Sequence, residues 1–303
     1  SAAVQWTNGG NGAGAFYAAE LSTDAFATVN FSSLTLSLST LFGSGGAGSA
    51  LSPNTTYFFQ VRTVGPSNVS ANVALGSTST LAAPPAAPVA GPSVSSMSLT
   101  WGSGGDPAGT RYQAQLSTDA LTTLNITSQT LNVSATFQAL VPNTTYYLRV
   151  RALNSNELPT VFSAAAPAFT LPAAPAAPAL SAIALSSMTL DWSAEGNPAG
   201  TVYLAQLSTD GFTTLNISSQ TLSLSATFQA LAPNTTYYLR VQALGWGGSS
   251  PFAQAAAAPS LAVTPAAPFL SAVELSSAAL SWGAGGNPAA TSYLAQISTD
   301  AFT

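Results

Sequence analysis

The residue types that could carry chemistry are few in this chain of 303 residues. It contains ten acids and five arginines, and histidine, cysteine and lysine are absent. Without imidazole or thiolate there is no ligand set for zinc, copper or haem, and the general base of a catalytic triad is missing. Without lysine, Schiff-base chemistry and the cation of a phosphate-binding loop are excluded. We therefore expect no enzymatic activity, catalytic residue, metal site or cofactor.

One glycine-rich run resembles a nucleotide-binding motif in pattern only. Residues 43–48 read GSGGAG and satisfy G-x-G-x-x-G. They form a six-residue insertion, because Ser-Thr-Asp and Asn-Thr-Thr-Tyr lie 32 residues apart here and 26 apart in the next two copies. A strand rather than a helix is predicted to follow, which removes the phosphate-binding geometry. We predict a surface loop.

The recurring Ser-Thr-Asp tripeptide is the second candidate site. It begins at Ser22, Ser117, Ser208 and Ser298. One aspartate in each copy falls far short of the six to eight oxygen ligands that calcium takes. Aspartate and serine at a turn commonly bond to their own backbone. We predict a turn at each tripeptide.

Asparagines in Asn-x-Ser/Thr sequons are candidate glycosylation sites. Serine and threonine are abundant enough for several sequons to arise by chance, and their hydroxyls are the alternative acceptors. A chain with so little charge nevertheless needs a solubilising layer or a partner surface. The candidates are Asn30, Asn54, Asn68, Asn125, Asn132, Asn143, Asn216 and Asn234.

A row of aromatic and cationic residues is the last candidate site. On the longest predicted strand of each copy, an aromatic residue is followed two positions later by a polar or cationic one, both facing outward. Such residues are enriched at interface anchors, so the row predicts lateral contact or sugar stacking. The alternative is that the rings pack on a neighbouring strand. An exposed Glu20–Arg62 pair is expected beside the row. The candidate face comprises Phe58, Arg62, Tyr147, Arg149, Tyr238 and Arg240.

The elements that position these residues belong to a repeat of about 90 residues. Tryptophans recur at Trp6, Trp101, Trp192 and Trp282, and between residues 115–153 and 206–244, 32 of 39 positions are identical. Short alternating runs separated by turns predict an all-β sandwich. In the third copy the predicted inward residues are Met188, Leu190, Trp192, Tyr203, Ala205, Leu207, Leu215, Ile217, Leu222, Leu224, Phe228, Tyr237, Leu239, Val241 and Ala243.

Several of these residues resemble the fibronectin type III family. The resemblance rests on the tryptophan, the Tyr-x-Ala-x-Leu-Ser strand after it, and the segments 51–57, 140–146 and 231–237. In that family such a segment forms the tyrosine corner, which implies that Tyr57, Tyr146 and Tyr237 bond back to the upstream backbone. The integrin-binding Arg-Gly-Asp of the family is absent. The composition resembles microbial secreted arrays.

Proline-rich segments predict where the units meet. Pro-Ala-Ala-Pro or a near variant divides the chain into units 1–82, 83–171, 172–262 and 263–303. Prolines at this density favour short, stiff spacers. By alignment the first unit lacks its opening strand and the fourth stops after three strands. We expect either further units on both sides or strands supplied by another subunit.

Charge and hydropathy limit the classes of partner that the chain could bind. Net charge is −5 with only five cations, which argues against nucleic acid. No uninterrupted run of about 20 apolar residues predicts a membrane span. Charged residues make up only 5% of the chain. We predict a structural repeat of an extracellular filament, sheath or cell-surface stalk whose partner is itself. Alternatives are an adhesion or glycan-binding module, and a spacer array of a secreted hydrolase.

Overall fold

Strands account for all regular structure in the part of the chain that is described. The computed structural model describes residues 1–43, 50–300 and 302. Most of the GSGGAG segment, for which a surface loop is predicted, therefore lies outside the described residues. Two compact units are present, one comprising Ser1–Leu140 and Thr145–Phe169, the other Val141–Thr144 and Thr170–Thr303. The predicted all-β class is confirmed.

The first unit contains two repeats. Strands of the first repeat are β1 (Ala2–Gln5), β2 (Phe16–Ser22), β3 (Phe31–Thr35), β4 (Ser39–Phe42), β5 (Thr56–Val64) and β6 (Val73–Ser79). They form the sheets β1-β4 and β3-β2-β5-β6. Strands of the second repeat are β7 (Ala86–Pro92), β8 (Ser96–Gly102), β9 (Arg111–Ser117), β10 (Ile126–Thr130), β11 (Ser134–Gln138), β12 (Thr145–Leu153), β13 (Ser163–Ala164) and β14 (Ala168–Phe169). They form the sheets β11-β8-β7 and β10-β9-β12-β13, with β14 also on β12.

The second unit contains the third repeat and a hairpin. Strands of the third repeat are β15 (Ala176–Ile183), β16 (Ser187–Ser193), β17 (Val202–Ser208), β18 (Ile217–Thr221), β19 (Ser225–Gln229), β20 (Thr236–Gly245), β21 (Gly248–Ser249), β22 (Ala253–Gln254) and β23 (Ala258–Pro259). Their sheets are β15-β16-β19 and β18-β17-β20-β21, with β22 and β23 also on β20. The hairpin consists of β24 (Ala266–Val273) and β25 (Ala278–Gly283).

Each core lies between the two sheets of one repeat. In the third repeat, Met188, Leu190 and Trp192 of β16 meet Tyr203 of β17 and Val241 of β20 in one buried cluster. The alternation predicted for these strands is confirmed, because side chains point to opposite faces along a strand. Trp192 packs against Tyr203 with 5.6 Å between ring centroids. The second repeat places Trp101 and Tyr112 5.4 Å apart in the same way.

The predicted tyrosine corner is confirmed at Tyr57 and Tyr237. The Tyr237 hydroxyl accepts a hydrogen bond from the Ala232 backbone N–H at 2.9 Å. The Tyr57 hydroxyl accepts one from Ser52 at 3.0 Å. Tyr146 is buried in the core of the second repeat. Each ring therefore closes the start of the longest strand of its repeat against the loop that precedes it.

Three residues expected to face inward are exposed instead. Leu215, Leu222 and Leu224 have exposed fractions of 50%, 65% and 43%. Leu215 precedes β18, an edge strand, and the other two lie at the bend where the chain leaves β18 for β19 in the opposite sheet. The alternation rule fails there because the backbone changes direction between the sheets. Ile217 and Phe228, on either side of this bend, do pack against the core.

Candidate functional site: the repeat joint and the arginine face

The asparagine of each Asn-Thr-Thr-Tyr motif lies at a joint between repeats. Asn54 is buried, and its Nδ2 donates a hydrogen bond to Thr110 Oγ1 at 2.8 Å. Its Oδ1 accepts one from the Ser155 backbone N–H, also at 2.8 Å. The φ of Asn54 is +42°, a left-handed conformation that asparagine tolerates better than most residues. Both polar atoms of this buried side chain are thus satisfied.

The same bond recurs in the second unit. Asn143 Nδ2 donates to Thr201 Oγ1 at 3.0 Å, and Asn234 Nδ2 donates to Thr291 Oγ1 at 2.8 Å. Each threonine ends a Pro-Ala-Gly-Thr or Pro-Ala-Ala-Thr loop. The Thr201 hydroxyl donates in turn to the Pro198 carbonyl at 2.8 Å, which orients its lone pairs toward the asparagine. We refer to this asparagine–threonine bond as the joint bond.

A second contact ties each of these loops to the proline-rich segment before it. Asn197 accepts a hydrogen bond from the Ala173 N–H at 2.9 Å and donates one to the Ala173 carbonyl at 2.8 Å. Asn287 makes the same pair of bonds with Val263. The equivalent residue of the second repeat is Asp106, which accepts from the Ala83 N–H at 2.8 Å and cannot donate.

The aspartate at this position carries an electrostatic cost. Asp106 is buried, and its Oδ2 atom has no hydrogen-bond partner among the described residues. Desolvation raises the pKa of Asp106 above its usual value, and the hydrogen bond from Ala83 partly offsets that rise. The contact that Asp106 makes with its proline-rich segment is therefore less complete than the contacts made by Asn197 and Asn287.

The Ser-Thr-Asp motifs form closed turns, as predicted. The Ser117 hydroxyl donates to Asp119 at 2.6 Å, and the Thr123 N–H and hydroxyl donate to the same carboxylate. These bonds, led by the one from Ser117, lower the pKa of Asp119 to about 2. Asp24 and Asp210 have equivalent bonds and pKa values near 2. Within the described residues, no group of three or more potential ligand residues could hold a metal ion.

The sequon asparagines fall into two structural groups. The first group is Asn54, Asn143 and Asn234, whose Nδ2 atoms donate the joint bonds. The second group is exposed, and three of its members hold the Ser-Thr-Asp turn through Oδ1, as Asn125 does for the Thr118 N–H at 2.8 Å. Their nitrogens point away from that bond. The exposed group comprises Asn30, Asn68, Asn125, Asn132 and Asn216.

The candidate contact face is more covered than the sequence suggests. Phe58 and Tyr147 are half-buried, and only Tyr238, with an exposed fraction of 39%, is open to solvent. Arg240 lies between the rings of Phe212 and Phe252, 4.0 Å from each centroid. Phe212 lies in the turn after β17 and Phe252 in the loop before β22, so the alternation of β20 alone does not reveal these contacts.

Cross-strand partners hold the arginines of this face. Arg149 and Arg151 donate from Nε to Gln115 and Gln113 at 2.7 and 2.8 Å. Both guanidinium groups also contact the ring of Phe162, at 4.1 and 4.6 Å from its centroid. Arg240 donates to Gln206 at 2.8 Å in the third repeat.

In the first repeat, Glu20 occupies the position that Gln115 and Gln206 have in the other two. Arg62 pairs with Glu20 at 3.0 Å, as predicted, and Gln60 donates to the other carboxylate oxygen at 2.7 Å. Glu20 is buried, however, so the expectation of an exposed pair is wrong. Its carboxylate contacts both Gln60 and Arg62 of β5, while Arg62 Nε is buried without a hydrogen-bond partner among the described residues.

Sequence reasoning missed the threonine partners and the glutamines. The signal for the threonines was available, because Thr110, Thr201 and Thr291 each end a Pro-Ala-Gly-Thr or Pro-Ala-Ala-Thr loop nine residues after the tryptophan of their repeat. The glutamines Gln113, Gln115 and Gln206 become partners only through the register of β9 with β12 and of β17 with β20. That register is a tertiary property.

Comparisons with known proteins agree with this geometry. The model of the fibronectin type III domain family matches residues 173–258. No curated protein matches the chain. No helix in the described residues is long and apolar enough to span a membrane.

Among solved structures, the chain is similar to a segment of two fibronectin type III domains from chicken tenascin. The identity is 14%, the coverage is 58% of this chain and 99% of that one, and the TM-score is 0.45. It is also similar to the FN1–FN3 domains of chicken CNTN1, with 14% identity, 86% and 93% coverage and a TM-score of 0.29. At these values neither likeness bears on function. Residues 173–258 match the family model, and the tyrosine corners and the repeated two-sheet sandwich give the first three repeats a fibronectin III-like architecture.

Proposed function

We propose that this chain is a structural segment of an extracellular filament, sheath or cell-surface stalk. Its modules transmit load in series, and the chain assembles with copies of itself through uncharged sandwich faces and strand edges. The proposed location follows from the usual setting of tandem fibronectin III-like arrays. Catalysis has no part in this role.

The joint bond is the observation that carries the proposal. It recurs with the same atoms at Asn54, Asn143 and Asn234. At Asn54 the bond joins two buried side chains, and breaking it would leave two desolvated polar groups unpaired, whereas the bonds at Asn143 and Asn234 are part-buried. Proline-rich segments bonded to the next loop add a second constraint. Such joints suit a load-bearing array better than a set of freely hinged modules.

Exposed aliphatic residues support lateral assembly. Each repeat presents two of them at the bend between its sheets: Leu36 and Leu38, Leu131 and Val133, and Leu222 and Leu224. Apolar groups repeated at one position of a weakly charged surface mark an interaction site. We assign a second copy of the chain as the partner at this bend.

The candidate contact face and the exposed sequons complete the proposal. Phe58 beside Arg62, and Tyr238 beside Arg240, would meet a neighbouring copy. Glycans, where the source organism adds them, would occupy the exposed sequon group and leave the joints free. Mass spectrometry of the native protein tests this: modification of Asn54 in the folded chain would contradict the joint bond.

Negative-stain microscopy and light scattering of the purified full chain test the assembly. We expect filaments with a regular axial repeat. Replacing Leu131 and Leu222 with serine should weaken assembly without changing thermal unfolding, because both are exposed. Val161→Ser is the matched control, as an exposed aliphatic residue away from the bend. A wild-type chain that stays monomeric at high concentration would contradict the proposal.

A further inference from the structure

Two arginines of the second repeat lack a counter-charge. Of the five arginines, Arg62 pairs with Glu20 and Arg111 pairs with Glu157 at 2.7 Å. Arg149, Arg151 and Arg240 form no ion pair within the described part of the chain, and only the first two are close to each other. They lie two residues apart on β12, so their side chains leave the same side of the sheet. An acidic chain thus contains one local pair of uncompensated cations.

Both guanidinium groups are held in place before any ligand arrives. Each uses Nε to bond a glutamine of β9, and each packs on the ring of Phe162. Their terminal nitrogens make no hydrogen bond to any described residue. A guanidinium presents its donors in a planar fork that matches a carboxylate. Fixing the fork in advance lowers the entropy cost of binding.

The first repeat has a carboxylate beside the long strand, where the second repeat has Gln115. There, Glu20 occupies the place of Gln115, since each pairs with the same position of the long strand. Its carboxylate bonds Arg62 at 3.0 Å and Gln60 at 2.7 Å. In the second repeat both of those strand positions are arginine and the carboxylate is missing. The chain therefore supplies its own example of a carboxylate bound at this place.

We propose that Arg149 and Arg151 bind the carboxylates of an acidic, uronic-acid-containing polysaccharide. Tyr147 precedes Arg149 by two residues on the same side of β12, and its half-buried ring provides a stacking surface for a sugar. The third repeat carries half of this arrangement, with Tyr238 exposed beside Arg240. An aromatic ring next to each cation favours a sugar polymer over an acidic peptide. This site goes beyond the scaffold role and does not depend on it.

The test is binding of the full chain to polygalacturonate, measured by calorimetry at low salt. Gln115→Glu should place a carboxylate between the arginines, as Glu20 does in the first repeat, and reduce affinity about tenfold or more. The double replacement of Arg149 and Arg151 with glutamine should also reduce affinity about tenfold or more. Glutamine should not disturb the fold, because aligned positions of other repeats carry it. The control Arg111→Gln also removes one positive charge but affects an arginine already paired, and it should leave affinity unchanged. Glu20→Gln should free Arg62 and raise affinity.

Three further results decide the proposal. Tyr147→Ala should weaken polygalacturonate binding several-fold but leave binding of poly-L-glutamate unchanged. Equal binding of the two polymers with no effect of Tyr147→Ala would overturn the polysaccharide assignment in favour of an acidic peptide. A wild-type chain that does not bind polygalacturonate, or one whose binding survives the double arginine replacement, would overturn the site itself. Unchanged thermal unfolding confirms that each variant is folded.

Discussion

The joints and the arginine faces of this array differ in how strictly they repeat. Each of the three joints pairs asparagine with threonine through the same atoms. On the faces, the residue beside the long strand is Glu20 in one repeat, Gln115 in the next and Gln206 in the third. The pair at Asn54 is buried and the other two are part-buried, so changing one partner would leave the other wholly or partly unsatisfied.

The faces vary because water can bond to polar groups on the arginine face that have no protein partner. Arg149 and Arg151 remain stable without a carboxylate because their terminal nitrogens reach water, their stems pack along the sheet and their heads contact Phe162. The contacts at the ends of the repeats are therefore the same at each joint, whereas the arginine faces differ from one repeat to the next. Predictions about the two regions differ accordingly.

The largest difference is expected between adjacent tyrosines of β20. Tyr237 belongs to the corner that supports the joint asparagine, whereas Tyr238 belongs to the face. Tyr237→Ala should cost about 3–5 kcal/mol, as for other buried aromatic residues. Tyr238→Ala should cost about 0.5 kcal/mol or less and weaken only face contacts. Thermal unfolding of the full chain measures both, and equal losses would show that the inward and outward assignment is wrong.

Removing a joint bond should have an intermediate effect. Asn54→Ala leaves the Ser155 N–H and the Thr110 hydroxyl without their partner, which should cost about 1–3 kcal/mol. The control is Asn68→Ala, an exposed asparagine in a sequon of the same repeat. Denaturant unfolding of the full chain should separate the two variants. Indistinguishable midpoints would mean that the joint bond contributes nothing to stability.

Improving the first joint should give a smaller gain. Asp106→Asn should add the bond to the Ala83 carbonyl that Asn197 makes to Ala173, worth about 0.5–1.5 kcal/mol at neutral pH. The pKa of Asp106 is raised in the folded chain, so protonation favours folding and its unfavourable contribution grows as the pH rises through that pKa. The advantage of asparagine should shrink as the pH falls through that raised pKa toward about 4. A pH-independent difference would show that the charge of Asp106 is not the cause.

The smallest effects are expected at the turns. Asp24, Asp119 and Asp210 have pKa values of about 2, below the usual range, so their contribution is present at neutral pH and is lost as the pH falls from 4 toward 2. Carboxyl titration by NMR should show these three midpoints well below that of Asp106. Midpoints near 4 for all four would contradict the hydrogen-bonded turns.

Sequence patterns predicted the features that depend on residues adjacent in the chain. They missed the contacts that depend on how distant segments pair. Alternation located the strands of the third core, and the Leu-x-Pro-x-Thr-x-Tyr segment located Tyr237. Alternation failed at Leu222 because the chain crosses between sheets there. The sequon pattern gave Asn54 the same reading as Asn68, although one is buried and the other exposed. Only the position of Thr110, 56 residues away, separates their roles.

The central claim is that the joint bond at Asn54 holds the first two repeats, which belong to one compact unit, in a fixed orientation. Because the chain has no cysteine, Ala27→Cys and Thr122→Cys place one exposed spin label on each of the first two repeats, away from the bend proposed for assembly. Pulsed electron paramagnetic resonance should give one narrow distance distribution that broadens clearly on Asn54→Ala and not on Asn68→Ala. A broad distribution in the unaltered joint, or one that Asn54→Ala leaves unchanged, would contradict the account.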